Sequence, residues 1–392
     1  MAQQNAPTVL FLASWYPTPI NKSHGIFIKN HALALSKFLN VVVVYAFSNS
    51  HTKKTNLHTN SVNENFTEYI IEYKKIKSKL PVISTLQKFL RLKFVYNLLL
   101  KTLITNKINV IAIQLNVVFP AAICFSMFKN YYKVNHTIVE HWSGYLPEDG
   151  NYKGIVTNYF TKKVFKNVSK IFYVSEKQRQ AMQWHGLNGR YQLIYNVVDT
   201  TIFFHKQKTK SSVPLFLHVS TLDKDQKNIL GTLNSLKKLQ NCNYAFTSIF
   251  VGGDTETINY YKAKVSELGI KNIDFVGYKT QGQIAELMQL ADCLLLFSNY
   301  ENMPVVVLEA LACGLPVFAS KVGQLPYFIN NNFGSLVEVG NEEQLAEQLK
   351  LFLDGKLIFN STKMIEFIQT HATFDLVGKQ LANEYLTTPS SN

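Results

Sequence analysis

Short runs rich in Val, Ile, Leu and Phe alternate along the chain with stretches whose apolar residues recur at helical spacing. The runs fall at 9–13, 41–45, 110–114, 137–140 and 171–174, then at 215–219, 246–251, 273–276, 293–297 and 316–319. A short β-branched run with no polar alternation predicts a strand buried on both faces. Strands alternating with helical segments predict parallel sheets covered by helices. Between the two sets lies Phe204-His205-Lys206-Gln207-Lys208-Thr209-Lys210-Ser211-Ser212, polar and aperiodic, which reads as a linker. The pattern predicts a first α/β domain over 1–200, a linker over 201–213 and a second α/β domain over 214–372. A C-terminal helix over 373–392 is expected to pack back on the first domain and end in a frayed tail. Each domain is expected to be doubly wound, with a cleft between them and ligands at the carboxyl ends of the strands.

Composition narrows this without changing it. A length of 392 residues suits two domains. With 47% hydrophobic and 17% charged residues, a disordered chain is excluded. No apolar run reaches about 18 residues, so a spanning helix is not expected. Residues 1–7 lack a charged and then apolar leader, so the expected location is cytoplasmic. Cys124, Cys242, Cys293 and Cys313 show no metal spacing and read as reduced core residues.

Charge adds a partner. The net charge is +14, but residues 1–200 carry +16 and residues 201–392 carry −2. A field so lopsided predicts an anionic partner for the first half, with a solubility surface as the plain alternative. The densest run is Lys74-Lys75-Ile76-Lys77-Ser78-Lys79-Leu80, continuing through Lys88, Arg91 and Lys93 to Lys101. Leu86, Phe89, Leu90, Leu92, Phe94, Val95, Leu98 and Leu99 interleave with it. After Pro81 this draws a helix with an apolar and a basic face, suited to anionic headgroups at the inner face of a membrane. Lys74, Lys75, Lys77, Lys79 and Arg91 are the candidate membrane or acceptor contacts. An ordinary domain helix with solvated lysines is the competing reading. Nucleic acid is not expected, because no recognised binding motif accompanies the run.

The candidate chemistry lies in Ser298-Asn299-Tyr300-Glu301-Asn302-Met303-Pro304-Val305-Val306-Val307-Leu308-Glu309-Ala310-Leu311-Ala312-Cys313-Gly314-Leu315-Pro316-Val317. Pro304 suits a helix start; Gly314 and Pro316 stop the helix. Glu301 then sits in the loop after a strand, and Glu309 about one and a half turns into the helix. Carboxylates accept hydrogen bonds from sugar hydroxyls, while the free N–H groups and dipole of a helix start favour phosphate. A nucleotide sugar needs both.

Glu-x7-Glu followed by Ala-x-Ala-x-Gly-x-Pro-Val resembles the retaining glycosyltransferases of the GT-B fold, family 4, also called glycosyl transferases group 1. The resemblance covers nearly the whole chain. Leu10-Phe11-Leu12-Ala13-Ser14-Trp15-Tyr16-Pro17 with Gly25-Ile26-Phe27 looks like the family's first strand and glycine loop. There Gly25 would let backbone approach the donor phosphates or the acceptor. Val139-Glu140-His141-Trp142 looks like the segment whose histidine, His141, lies near the transferred sugar. In the second domain Ser220-Thr221-Leu222-Asp223-Lys224-Asp225-Gln226-Lys227 matches the segment that clamps the donor diphosphate. Lys227 matches the family's lysine, but Thr221 stands where the family has arginine, with Lys224 as a nearby substitute. Lysine offers a point charge, not a bidentate fork. Val251-Gly252-Gly253 and Gly277-Tyr278 resemble segments near the nucleotide.

The resemblance implies a GT-B fold, two Rossmann-like domains facing across a deep cleft. It implies Glu309 on the ribose, Glu301 with the 302–305 backbone (Asn302, Met303, Pro304, Val305) on the transferred sugar, and Lys227 on the leaving diphosphate. Glu301, His141 and Lys227 are the catalytic candidates. The donor would be a UDP- or GDP-sugar. The acceptor would be a glycan or lipid-linked glycan in surface polysaccharide or lipopolysaccharide synthesis. With no Asp-x-Asp at the expected place, no metal or other cofactor is expected. The rivals are a dinucleotide oxidoreductase, which lacks its Gly-x-Gly-x-x-Gly here, a phosphorylase or epimerase, and an inactive sugar-nucleotide-binding partner at the membrane.

Overall fold

The computed structural model describes residues 6–21, 23–76, 81–207 and 212–387, with backbone alone for 81–84 and 387. Lys77 and Lys79 of the basic run, and 208–211 of the linker segment, lie outside the described residues. The chain divides into two units. The first comprises Met1–Leu146, Gly150–Val197 and Phe374–Asn392; the second comprises Pro147–Asp149 and Val198–Thr373.

In the first unit the strands are β1 (Thr8–Ala13), β2 (Asn40–Asn49), β3 (Asn56–Asn63), β4 (Phe66–Lys74), β5 (Val110–Asn116), β6 (Asn135–Glu140), β7 (Lys170–Tyr173) and β8 (Tyr191–Leu193). They form one sheet in the order β3-β4-β2-β1-β5-β6-β7-β8. β1, TVLFLA, is buried at every position and lies near the middle of the sheet, as a two-faced apolar strand must. All neighbours run parallel except β3, which pairs antiparallel with β4. β3, NLHTNSVN, is exposed almost throughout, which suits an edge strand.

The helix Phe374–Thr387 belongs to this first unit. Tyr385 donates to Gln114 at 2.5 Å and meets the Thr137 hydroxyl at 2.9 Å. Glu384 pairs with Lys170 at 2.5 Å, and Gln380 donates to the Leu193 carbonyl. These bonds tie the end of the chain to β5, β6, β7 and β8.

The second unit holds β9 (Leu215–Val219), β10 (Thr247–Val251), β11 (Ile273–Phe275), β12 (Cys293–Leu296), β13 (Val317–Ser320) and β14 (Gly334–Val337). Their order is β11-β10-β9-β12-β13-β14, all parallel. Phe216, Leu233, Phe250, Phe297 and Leu349 lie in one buried cluster, with Phe250 stacked on Phe275 at 4.9 Å. The first strand and its neighbours, β10 and β12, carry their loops to one edge, and the candidate site is built there.

The expected strands are present, each end within four residues of its expected position. β3, β4, β8 and β14 were not expected. Three cysteines are buried as expected, but Cys242 is exposed, at the end of the helix Ile229–Asn241. The apolar periodicity there has already ended, so the thiol points to solvent. Among the described residues no helix is long and apolar enough to cross a membrane.

Candidate functional site

The site of the second unit starts from β12. This strand is buried throughout and ends at Leu296, delivering Ser298 to Pro304 as a loop at the sheet's carboxyl edge. The helix Val305–Ala312 follows. Pro304 supplies its N-cap with φ −67° and ψ 118°, and no side chain caps it. An uncapped helix start leaves its first N–H groups directed outward, as an anion requires.

Glu301 is nearly buried and bound on both oxygens. Its Oε1 accepts from Lys227 Nζ at 2.5 Å and from Ser298 Oγ at 2.9 Å, and its Oε2 from Gln226 Nε2 at 3.3 Å. Lys227 and Gln226 come from the single turn Lys224–Lys227, capped by Asp223. That turn is fastened to the loop by Asn299, whose N–H donates to the Gln226 carbonyl and whose Nδ2 donates to the Asp225 carbonyl, both at 2.8 Å. Residues 74 positions apart are thus held as one cluster. A Lys–carboxylate pair this dry aligns one side chain by the other, and losing either leaves a buried charge.

Gly323 makes this loop possible. Its φ is +54°, and a Cβ there would stand 2.0 Å from the Asn302 carbonyl oxygen and 2.5 Å from that of Glu301. The Gln324 N–H closes the contact onto the Asn302 carbonyl at 2.8 Å. In the sequence, Gly323 lies in a segment, Lys321 to Pro326, that resembles the family's late glycine loop but carries no assigned contact.

Glu309 is different. It is buried in the Val305–Ala312 helix, and no hydrogen bond or ion pair to its carboxyl exists among the described residues. Burial alone pushes its pKa up to about 8. A neutral, unpartnered carboxyl one and a half turns into a helix is free to meet a ligand's hydroxyls.

The loop after β9 carries a second network. His218 is fully buried, with Nδ1 2.9 Å from the Leu295 carbonyl and Nε2 2.7 Å from Ser220 Oγ. Since the carbonyl only accepts, Nδ1 holds the proton and Ser220 donates to Nε2. Burial lowers the pKa of His218 to about 3, so the ring stays neutral. Ser220 Oγ also accepts from the Leu222 N–H at 3.0 Å, which fixes the turn toward Lys227. Gly252 presses on this turn: with φ +110°, a Cβ would lie 1.7 Å from the Ser220 carbonyl oxygen. The neighbouring Gly253, also at positive φ, packs against Leu222. Ser220, Gly252 and Gly253 therefore stand together.

Other candidates stand apart. Thr221 is exposed. Lys224 sends its ammonium over the Tyr260 ring, 3.7 Å from the centroid, rather than toward Glu301. Tyr278 is exposed. Asn302, Met303 and Pro304 are buried and Val305 half-buried.

In the first unit His141 follows β6, buried against Phe27 at 4.2 Å and His31 at 5.2 Å between ring centroids. Burial holds its pKa well below the usual histidine range, and the adjacent His31 adds to this. Glu140 organises the turn: its Oε1 accepts from the His141 and Trp142 N–H groups, its Oε2 from Val118 N–H and Tyr145 hydroxyl. Gly25 begins the helix Ile26–Leu35 at φ +66°, pressed on the backbone of Trp15 and Tyr16. Its approach is to its own chain. Lys74 and Lys75 are exposed at the end of β4, with Arg91 half-buried beside them on the helix Pro81–Thr105.

No three His, Cys, Asp or Glu side chains converge among the described residues in a way that would hold a metal ion. Residues 199–369 match the model of the family described as glycosyl transferases group 1. The second unit is thus similar, over most of its length, to the glycosyl transferases group 1. The N-acetyl-alpha-D-glucosaminyl L-malate synthase of Bacillus anthracis is 29% identical over 177 residues, 42% of this chain and 45% of that protein. The N,N'-diacetylbacillosaminyl-diphospho-undecaprenol alpha-1,3-N-acetylgalactosaminyltransferase of Campylobacter jejuni is 29% identical over 206 residues, 52% and 47%. The chain thus spans about half the length of these curated relatives. The structure of HepE from Anabaena, solved in complex with UDP and glucose, superposes with a TM-score of 0.69. It shares 15% identity and covers 97% of this chain and 99% of that one. The fold is GT-B, with two Rossmann-like units.

Proposed function

We propose that this protein is a retaining glycosyltransferase that moves a sugar from a nucleotide sugar to a glycan or lipid-linked glycan of the cell surface. The observation that carries this is the pairing of two unlike carboxyls on one strand–loop–helix. Glu301 is paired with Lys227 and held rigid by Ser298 and Gln226, while Glu309 is buried and unpartnered. Supporting it are the family match and the Anabaena structure's UDP and glucose, which favour a uridine nucleotide as the first donor to test.

In this reading Glu309 receives the ribose hydroxyls. Glu301 and the backbone of 302–305 receive the hydroxyls of the transferred sugar. Lys227, already poised on Glu301, shifts part of its charge to the departing diphosphate, which is electrostatic stabilisation of a leaving group. The N–H groups at the start of Val305–Ala312 share that load. His141, neutral by burial, exchanges hydrogen bonds with a sugar hydroxyl and carries no charge to the reaction. The acceptor is the first unit's ligand, and its net positive charge suits a phosphorylated carrier at the inner membrane face. The Campylobacter relative, named for a diphospho-undecaprenol acceptor, supports that choice. The reaction proceeds without a metal or other cofactor.

The test is transfer from radiolabelled nucleotide sugars to bacterial lipid extracts, with the anomeric configuration of the product read by NMR. Transfer with retained configuration is expected, unchanged by EDTA. Donor binding with no transfer to any extract would favour an inactive sugar-nucleotide-binding partner, a reading that exposed Thr221 in place of arginine keeps open.

A further inference from the structure

Two cavities of the first unit adjoin at Arg91. One, of about 610 Å³, is lined by Ser50, Lys74, Lys75, Ile76 and Arg91. Ser50 follows β2 and Lys74 ends β4, so it opens at the carboxyl edge of the sheet, where ligands bind in doubly wound folds. The other, of about 560 Å³, runs between β3, β4 and the helix Pro81–Thr105. Its apolar wall is Leu57, Ile71, Phe94 and Leu98.

The cations of the first cavity have no counter-ion among the described residues. Neither Lys74, Lys75 nor Arg91 forms an ion pair among the described residues. The nearest acid in sequence, Glu72, is taken up by Asn49, Thr52 and His58. Arg91 is fixed: Nη2 donates to Thr55 Oγ1 at 2.6 Å, and the guanidinium lies over the Phe94 ring at 5.3 Å. The Lys75 N–H is anchored on the Asn49 carbonyl. A rigid guanidinium beside two unpaired ammoniums is phosphate chemistry.

The second cavity is not closed off by apolar packing. Phe94 and Leu57 are 49% and 45% exposed, and Leu86 and Leu90 on the same helical face are 58% and 56% exposed. Residues four apart stack on one face, so Leu86 to Phe94 extend the apolar track by ~12 Å along the helix. A ligand that fits both cavities has a phosphate head and a long apolar chain.

We propose that the first unit binds a phosphorylated single-chain lipid here, its phosphate among Lys74, Lys75 and Arg91 and its chain along Leu57, Ile71, Phe94 and Leu98. That this lipid carries the acceptor glycan rests on the transferase reading; the binding itself does not.

The test is calorimetry with the full chain at 0.15 M salt, using farnesyl diphosphate, inorganic pyrophosphate and farnesol as probes. Farnesyl diphosphate is expected to bind at least tenfold more tightly than either half. The double variant K74Q/K75Q, at exposed positions, is expected to weaken it at least tenfold, as is Phe94→Asp. Lys227→Met, which removes the diphosphate-binding lysine of the second unit, is expected to leave it unchanged, while K74Q/K75Q leaves UDP binding unchanged. Equal binding of pyrophosphate would mean a plain phosphate site and overturn the proposal. So would loss of farnesyl diphosphate in Lys227→Met but not K74Q/K75Q, or binding to phosphatidylglycerol vesicles without binding of the probe. A wild-type chain that binds farnesyl diphosphate but neither UDP nor GDP would instead defeat the transferase reading alone.

Discussion

Replacing Glu309 by glutamine changes one proton and almost no volume, and burial fixes what should follow. The carboxyl titrates near pH 8 in the folded protein, against an ordinary value of 4.5. Below pH 4.5 it is protonated whether the chain is folded or not, and costs nothing. As pH rises from 4.5 to 8 the unfolded chain ionises it and the folded chain does not, so stability drains away. At about 1.4 kcal/mol per pKa unit, the full loss above pH 8 is about 5 kcal/mol. Glu309→Gln should abolish that slope, so the variant gains on the wild type steadily across this window in urea titrations. A ligand sharpens the argument. At pH 7 about one tenth of Glu309 is ionised, and ribose hydroxyls donate to the carboxylate. Wild-type protein should therefore release about 0.9 proton more than the variant on binding UDP at pH 7. The diphosphate's own proton is common to both proteins and cancels. Calorimetry in two buffers of different ionisation enthalpy reads the difference directly, and wild-type affinity should rise about tenfold from pH 7 to 9. Parallel stability profiles, or equal proton release in the two proteins, would refute the reasoning.

Three further outcomes follow from the geometry. Lys227→Met should cost about 3 kcal/mol of stability by stranding Glu301 and lower kcat by about 10² to 10³; adding Glu301→Gln should restore stability and not turnover, and full rescue of both would contradict the assigned roles. Gly323→Ala, whose Cβ would meet the Glu301 and Asn302 carbonyls, should abolish donor binding while the first unit's lipid-phosphate binding persists. Burial lowers His31 to a pKa of about 4 from 6.5, so the folded state resists a proton that the unfolded chain takes up. Stability should fall by about 3 kcal/mol between pH 6.5 and 4, and urea midpoints of His31→Gln should show a shallower fall.

The sequence was readable where one physical signal dominated. β1, β9 and β12 are buried on both faces, so their apolar runs stood out. Pro304 and Gly314 bracketed the helix that carries Glu309. β3 was illegible because an exposed edge strand such as NLHTNSVN needs no apolar alternation. β4 does alternate, but it runs straight into the basic segment and was absorbed by it. β8 and β14 are too short to carry a period. Within the site, the two glutamates were legible by spacing. The Lys227–Glu301 pair was expected only as two separate ligand contacts, since local pattern says nothing across 74 residues. Lys224 could not be assigned to Tyr260 for the same reason, and His218 looked like any apolar-strand residue.

The central claim is a nucleotide site centred on Glu309 and Glu301 in the second unit. Thermal stabilisation of the full chain by a panel of nucleoside diphosphates and their sugars, with Glu309→Ala and Lys227→Met alongside, tests it most directly. The account predicts a selective rise in melting temperature with one nucleotide class, lost in Glu309→Ala and reduced in Lys227→Met. A rise of equal size in both variants and the wild type would place the nucleotide elsewhere and contradict the account.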